Sequence, residues 1–443
     1  MDVELQILKH LKRDARPTVA IIDQYCEAYN DLFPEVRSYE CFKYLHQGIV
    51  SPIKRKSLPE IAKVVGILDT QSLHHFLANS PWSVEEVKKR RLNLTLKALK
   101  KKKIIVVIDE TGDRKKGTKT DYVARQYLGS VGKIDRGIVS VNAYGVYENI
   151  TFPLIFKVFK PKGTLKSEDT YQTKIELASE IITELIDWGF NIELVLADSL
   201  YGEASSFLAT LNKYKLLWVV AIRSNHGVWM PSSQTVRANK WCNFERIFSN
   251  KKSETRYIRE IVYGKRNQIT YWEITTDPET MPENSTSFVM TNISEKTSKL
   301  KKILGNLYGL RTWVEYGFRQ CKQELGWTDY RLTDFEDINK WWEIIMSAYL
   351  MISFNTESFL SLNSSELDDQ SSKTALNFAL HRQWNHQTGW KNVLNNFRLI
   401  IQPTLVLWLI FPWLDIFPNS SLLLGLHRLI HTMNQFQPLL LSG

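Results

Sequence analysis

Four residues spaced along one stretch have the chemistry of a surface that handles phosphate: Tyr308, Arg311, Glu315 and Lys322. They are offset from the first by 3, 7 and 14 residues, and at roughly 100° per residue all four fall within an arc of about 60°. Leu310, Val314, Phe318, Cys321 and Leu325 recur at spacings of three and four, so the stretch 308–325 predicts an amphipathic helix with an apolar stripe beside the polar one. The polar stripe has two readings. Arg311 and Glu315 can form an i,i+4 ion pair worth about 0.2–0.5 kcal/mol on a wet surface. Alternatively, Glu315 ligates a hard cation while Arg311, Lys322 and Tyr308 hold phosphate oxygens. Gly309 and Gly317 each cost about 1 kcal/mol relative to Ala inside a helix, which close approach of another group would explain.

Two further carboxylates have the same alternatives. Asp109 ends the run IIVVID and Asp198 ends IELVLAD. An Asp at a strand end often serves as a turn or cap residue, yet the carboxyl ends of strands in open α/β sheets are also where ligands gather. Three carboxylates meeting without a counter-charge would raise one another's pKa, so the set Asp109, Asp198 and Glu315 makes sense chiefly around divalent cations. Two such ions roughly 3.5–4 Å apart can activate a water or a 3′-hydroxyl and stabilise the leaving oxygen of a phosphodiester displacement. Mg2+ is implied as a pair of ions, with Mn2+ as a substitute.

The surrounding elements must bring these groups together. IIVVID is a continuous β-branched run suited to a strand buried on both faces. Further strands are expected at GIVSVNAYGVY and FPLIFKVFK, then a helix near Glu168 to Trp188, the strand IELVLAD, a helix near Glu203 to Tyr214 and the strand LLWVVAI. That order predicts an α/β fold, a mixed sheet with flanking helices over residues 101–223. From 224 to 293 the pattern is all-β, with a hairpin in RYIREIVYGKRNQITYWEITT and a strand at SFVMTNI. Residues 294–362 return to helix and complete the core. Residues 363–443, entered through the polar linker NSSELDDQSSK, form a helical C-terminal region.

Residues 1–100 predict helices and no strands. Ser57, Pro59 and Gly66 bracket one short helix and Asp69 or Thr70 starts the next, the outline of a helix-turn-helix or of a plain helical hairpin; Gln71, Ser72, His74 and His75 would lie on the second helix. The run KKRRLNLTLKALKKKK follows, and such runs are usually solvated faces. The four cysteines lack CxxC spacing, which fits a reducing, cytoplasmic compartment and excludes a disulfide framework or structural zinc. The N-terminus shows no secretory signal. LIIQPTLVLWLIFPWLDIF is very apolar, but Pro403 and Pro412 interrupt it, so it predicts a buried helix or docking surface and not a membrane span. His427 and His431, without acidic or thiol partners, read as a packed or surface pair. With 443 residues, 44% of them hydrophobic, the chain can build a large core, and a formal net charge of +10 favours a polyanionic partner.

The spacing Tyr308-x2-Arg311-x3-Glu315-x6-Lys322 resembles the YREK signature of DDE transposases from bacterial insertion sequences. The segments DETGDRKKGTKTDYVARQYLGSVGKIDRG and ADSLYGE look like the first and second acidic motifs of that superfamily, closest to the insertion sequence 701 group. The resemblance spans roughly Leu58 to Leu325. It implies an RNase H-like core, Asp109, Asp198 and Glu315 as a metal-binding triad, and an all-β insertion between the second and third acids. Tyr308, Arg311 and Lys322 would contact phosphates near the transferred end. Lys115 and Lys116 are either DNA contacts or solvated charges. Relatives hold a flipped base on an aromatic of the insertion, for which Trp272 is the candidate, with Trp229 and Trp241 equally eligible and a packed core position the alternative for each. The resemblance further implies cut-and-paste transposition of double-stranded DNA, acting on terminal inverted repeats and a target, by a homodimer in the synaptic complex. Two rivals remain: a nuclease on the same fold without strand transfer, and a non-catalytic DNA-binding derivative.

Overall fold

In the computed structural model the chain gathers into two compact units, Leu99–Phe318 and the pair of segments Met1–Ala98 and Arg319–Gly443. The structure describes residues 13–364 and 378–436, apart from residues 130, 149, 229, 231, 248–252, 266–267 and 388. The expected linker at 363–373 and Trp229 therefore lie almost wholly or wholly outside the described residues.

The two-segment unit is helical. Its N-terminal part holds α1 (Ala20–Glu27), α2 (Val36–Val50), α3 (Leu58–Val65) and α4 (Gln71–Ala78), and α5 (Val84–Leu99) leads into the second unit. Helix α3 carries Pro59 in its first turn, where a missing N–H costs nothing, and stops at Gly66, whose φ of 73° suits a residue without Cβ. Helix α4 buries Leu73, Phe76 and Leu77 and turns Gln71, Ser72, His74 and His75 outward. The basic run is not all solvated, however. Arg91 of α5 is wholly buried and makes a bidentate pair with Glu343, itself 1% exposed.

Leu99–Phe318 is the α/β unit. Its elements run β1 (Ile104–Arg114), β2 (Ala124–Leu128), β3 (Lys133–Tyr147), β4 (Ile150–Phe159), α6 (Lys174–Asp187), β5 (Ile192–Ala197), α7 (Ser199–Gly202), α8 (Ser205–Lys213) and β6 (Leu217–Ile222). Strands β1, β3 and β4 are antiparallel neighbours, while β5 and β6 run parallel to β1 on its other side. This is an RNase H-like mixed sheet. Helix α6 begins at Lys174, later than the apolar pattern suggests. Thr173 and Glu176 close a capping box there, and each satisfies an otherwise orphaned N–H.

The segment between the second and third acids contributes β7 (Val236–Ala238), β8 (Cys242–Ile247), β9 (Ser253–Tyr263), β10 (Thr270–Thr275) and β11 (Ser287–Thr291). It is all-β, as expected, but it is not a separate sheet. Strand β11 pairs antiparallel with β6, from Phe288 opposite Ile222 to Thr291 opposite Val219. The described strands thus form one eleven-stranded sheet. Helices α9 (Thr297–Gly309) and α10 (Arg311–Gln323) follow.

Four helices complete the first unit: α11 (Phe335–Phe354), α12 (Thr356–Ser364), α13 (Trp390–Ile416) and α14 (Ser420–Met433). Helix α11 is buried along nearly its whole length. Around it, Tyr25 donates to the Ser347 carbonyl, and His46 bridges the Phe42 carbonyl and the Ser347 hydroxyl. Helix α13 corrects the expected interruption, because it passes through Pro403 and Pro412 without ending. By length and composition it is long and apolar enough to cross a membrane; 28% of its most apolar window is buried, and its buried residues run from Trp390 to Leu407. Three cysteines are buried, Cys242 is half-buried, and all four are free. His427 and His431 are exposed.

Candidate active site

Strand β1 owes its central place in the sheet to its Ile and Val side chains, and its register decides where Asp109 lands. Ile108 is the last residue of β1 paired with β5, opposite Ala197. The next residue on each strand is an acid, so Asp109 and Asp198 leave parallel neighbours about 4.8 Å apart at the same end of the sheet. Asp198 also caps α7, accepting the Leu200 N–H at 2.9 Å through one carboxylate oxygen. The turn behind it requires glycine: a Cβ on Gly202 would stand 2.1 Å from the Ala221 carbonyl oxygen. On the other side of Asp109 its cross-strand partner is Asn142, buried, with Oδ1 lacking any hydrogen-bond partner.

Glu315 arrives from the helical stretch, which is not one helix. It breaks at Leu310, leaving Tyr308 on α9 and Arg311, Glu315 and Lys322 on α10. The cause is tertiary. Asn306 of α9 accepts the Ile247 N–H and donates to the Glu245 carbonyl, as a strand would on the edge of β8. Arg246 of the same strand donates to Thr312, and a Cβ on Gly309 would come within 3.3 Å of its Nε. Two residues beyond Glu315, Gly317 lies against the buried ring of Tyr144, where a Cβ would stand 3.0 Å from Cε1. Both glycines therefore mark close approaches. Phe318 and Leu310 are half-buried and Cys321 and Leu325 buried, in keeping with the apolar stripe; the side chain of Val314 lies outside the described set.

Arg311 joins the pieces. Its Nη1 donates to Asp109 at 3.2 Å and its Nη2 to Glu315 at 3.0 Å, and the Tyr308 hydroxyl is hydrogen-bonded to the same guanidinium. Burial pushes the Asp109 carboxyl up to about 7 against the pull of Arg311, and the charges of Asp198 and Glu315 push the same way as burial. Burial alone would lower the pKa of Arg311, but Tyr308, Asp109, Glu315 and Asp198 together hold it above its ordinary value. Tyr308 is raised by its own burial, with Arg311 opposing. The structure thus brings together five of the expected site residues: Asp109, Asp198, Glu315, Arg311 and Tyr308.

The others lie elsewhere or are differently engaged. Lys322 is half-exposed further along α10, beyond the point where the chain passes to the other unit. Lys115 is ion-paired with Asp113 at 2.7 Å, and Lys116 is exposed. Trp272 is 1% exposed and its indole N–H donates to Thr270, so in this structure its ring packs within the sheet. Trp241 is half-buried with the Arg259 guanidinium 4.3 Å over its ring. Sequence reasoning missed Arg246, whose strand carries no motif, and also Asn142 and Tyr201. Tyr201 stands inside ADSLYGE, fully buried, with a hydroxyl that has no partner.

Among the described residues no three His, Cys, Asp or Glu side chains are gathered as an ion would need, and Arg311 stands between Asp109 and Glu315. The donor set nevertheless suits a hard divalent cation, being oxygen throughout. It comprises a buried acid flanked by two others, and beside it the unsatisfied amide oxygen of Asn142.

Comparison with known proteins agrees with this geometry. Residues 31–242 match the family described as DDE superfamily endonuclease, and residues 167–351 match the Transposase DDE domain. A protein of Microchaete diplosiphon described as a probable transposase for insertion sequence element IS701 is 52% identical over 344 residues, 77% of this chain and 89% of that one. A relative so similar over most of both lengths, with acids converging where β1 parts from β5, places the chain among the DDE transposases of insertion sequences, close to IS701.

Proposed function

We propose that the protein excises its element and joins it to target DNA by divalent-metal-dependent phosphoryl transfer at Asp109, Asp198 and Glu315. The observation supporting this most directly is the Arg311 guanidinium, which holds Asp109 and Glu315 in one cluster although 205 residues of chain lie between them. Bound to these three carboxylates, a pair of Mg2+ ions, or Mn2+ in their place, would supply the charge that activates an attacking oxygen and steadies a leaving one. The chain's own residues do the rest. The acids ligate through oxygen. Arg311, here the counter-cation of the acids, turns its planar donors to phosphate oxygens once their charge is otherwise met. Tyr308 donates its hydroxyl to the same backbone, and Lys322 adds a point charge further along α10. Seated against Tyr144 and pinned by β8, the helix pair holds these groups in one orientation, so little reorganisation remains at the moment of reaction.

The partner is double-stranded DNA, consistent with a net charge of +10. Terminal inverted repeats are bound through the N-terminal helices, with the outward Gln71, Ser72, His74 and His75 of α4 available to base edges. Two ends must be brought together, so the active assembly contains two copies. The test is an end-labelled duplex carrying the element terminus, incubated with supercoiled plasmid and Mg2+. Joined products are expected; nicked products alone would make the protein a nuclease, and bound but uncut DNA would make it a non-catalytic derivative.

A further inference from the structure

One end of the sheet in Leu99–Phe318 carries charge that its own packing does not use. Strand β1 pairs with β3 no further than Gly137, and β4 no further than Val139, so beyond them β2 and the first residues of β3 form a two-stranded ribbon. Between Arg114 and Arg136 stand seven lysines and arginines against two acids. Within the ribbon Arg125 lies directly opposite Arg136, and Tyr127 opposite Ile134. Both arginines are exposed, and Tyr127 and Ile134 are 56% and 61% exposed.

The register shows which way this ribbon faces. Directly opposed residues of a strand pair share a face, as does every second residue along one strand. Asp109 is opposite Asn142, and Asn142, Arg136 and Ile134 are an even number of residues apart on β3, so both arginines and Tyr127 project from the face that holds Asp109. Six residues at about 3.3 Å each put Arg136 roughly 20 Å from Asn142. The acid between them on that face is already met, since Asp113 pairs with Lys115 at 2.7 Å. On the other face Arg114 pairs with Asp135 at 2.8 Å, whereas among the described residues no carboxylate pairs with Arg125 or Arg136. Like charges directly opposite destabilise a strand pair. Protecting a sheet edge needs only a lone charge, but a polyanion laid across both guanidiniums turns their repulsion into binding. The major groove of duplex DNA, about 12 Å wide, admits a two-stranded ribbon. At about 3.4 Å per base pair, the ribbon would meet a duplex roughly six base pairs from a phosphate at the acids. Phosphate contacts carry no sequence information. That suits a target, which varies in sequence, better than an element end, which must be recognised.

We infer that the β2–β3 ribbon seats target DNA, with its phosphates on Arg125 and Arg136 and its groove wall on Tyr127 and Ile134. The inference rests on the strand transfer proposed above only in naming which DNA is held. The first test needs neither metal nor catalysis: full-length protein binds a labelled duplex lacking the element terminus over a series of salt concentrations. For Arg125→Ala with Arg136→Ala, the slope of log affinity against log salt should be shallower by about 2, at roughly 0.9 per phosphate contact, and affinity about tenfold weaker, with no fall in melting temperature. Arg125→Lys with Arg136→Lys should keep the slope. So should Lys213→Ala with Lys215→Ala, which removes two exposed charges elsewhere in the unit. In the second test a precut element end is joined to plasmid in Mg2+. The alanine variant should need about tenfold more plasmid for half-maximal joining, reach the same maximal rate, and cut an uncut end without plasmid as fast as wild type. An unchanged slope, an equal fall in the Lys213 and Lys215 variant, or slower end cutting without plasmid, which would give the ribbon to the element's own DNA, would each overturn the inference. Wild-type protein that joins no plasmid would instead refute strand transfer, and the salt slope would still decide whether the ribbon holds DNA.

Discussion

Replacing Gly317 by alanine sets two effects of known size against each other. In an exposed helix interior the change would stabilise by about 1 kcal/mol. Here the new methyl would stand 3.0 Å from Tyr144 Cε1 and 3.3 Å from Cδ1, short of the roughly 3.5–4.0 Å of an ordinary carbon contact. Tyr144 has little room to yield, since it is 1% exposed and packs edge-on against Phe318, with ring centroids 5.4 Å apart. Overpacking of this kind costs about 1–3 kcal/mol, so the net effect on stability should be between neutral and about 2 kcal/mol unfavourable. Relief comes most easily by α10 moving out by about half an ångström, and Glu315 moves with it. A misplacement near 1 Å can cost about 100-fold in rate, so roughly tenfold slower cleavage is expected. The assay pairs a thermal melt with single-turnover cleavage of a labelled element end in Mg2+. A variant that melts higher by the full helix-propensity gain and cuts at the wild-type rate would show that the seat of α10 on Tyr144 does not position Glu315.

Three other outcomes follow from the helical unit and from the site. Arg91→Met should destabilise by about 3–5 kcal/mol, because the Glu343 carboxylate would stay buried without its partner, whereas Arg91→Met with Glu343→Leu should recover most of that loss; urea midpoints measure both. Burial lowers the pKa of His46 from 6.5 to about 4, so the unfolded chain binds the proton first as pH falls. Its contribution is complete above pH 6.5 and is lost toward pH 4, by about 3 kcal/mol at about 1.4 kcal/mol per unit. Denaturant unfolding of wild type and His46→Gln across that window should differ in slope, and identical slopes would contradict the assignment. Arg246→Ala should leave folding nearly unchanged but slow cleavage several-fold, because the break between α9 and α10 loses its clamp at Thr312; unaltered cleavage would leave Arg246 without a positioning role.

How much of this was legible in the sequence depends on the range of the forces involved. IIVVID and IELVLAD read correctly as strands because an uninterrupted β-branched run has few other uses; β5 stops just before Asp198 as expected, whereas β1 continues past Asp109 to Arg114, because there it still pairs with β3. The outward face of α4 followed from its own periodicity. The break at Leu310 did not, since it depends on β8 hydrogen-bonding to Asn306 and Thr312 from 59 and 66 residues away. The glycines at 309 and 317 announced a close approach, but only the fold shows that Arg246 and Tyr144 make it. Arg311 looked like a phosphate ligand or a partner for Glu315; that it also reaches Asp109 is a matter of tertiary placement. Which way Trp272 faces was not legible, because a hairpin aromatic on the inward face of a sheet cannot be told from an outward one until its register is known. Pro403 and Pro412 looked like helix stops, but α13 runs through both: packing on either side carries it past Pro403, whereas Pro412 lies in its exposed part.

The most direct test of the shared-metal site is to compare wild type with Asp109→Asn, Asp198→Asn and Glu315→Gln, measuring element-end binding and strand cleavage on the same labelled duplex. Each substitution keeps the side chain's shape and removes its charge. Cleavage should fall at least 1,000-fold in all three, roughly 4 kcal/mol of transition-state stabilisation, with binding of the end within a few-fold of wild type. Near-wild-type cleavage by any one of them would remove that acid from the site and contradict the account.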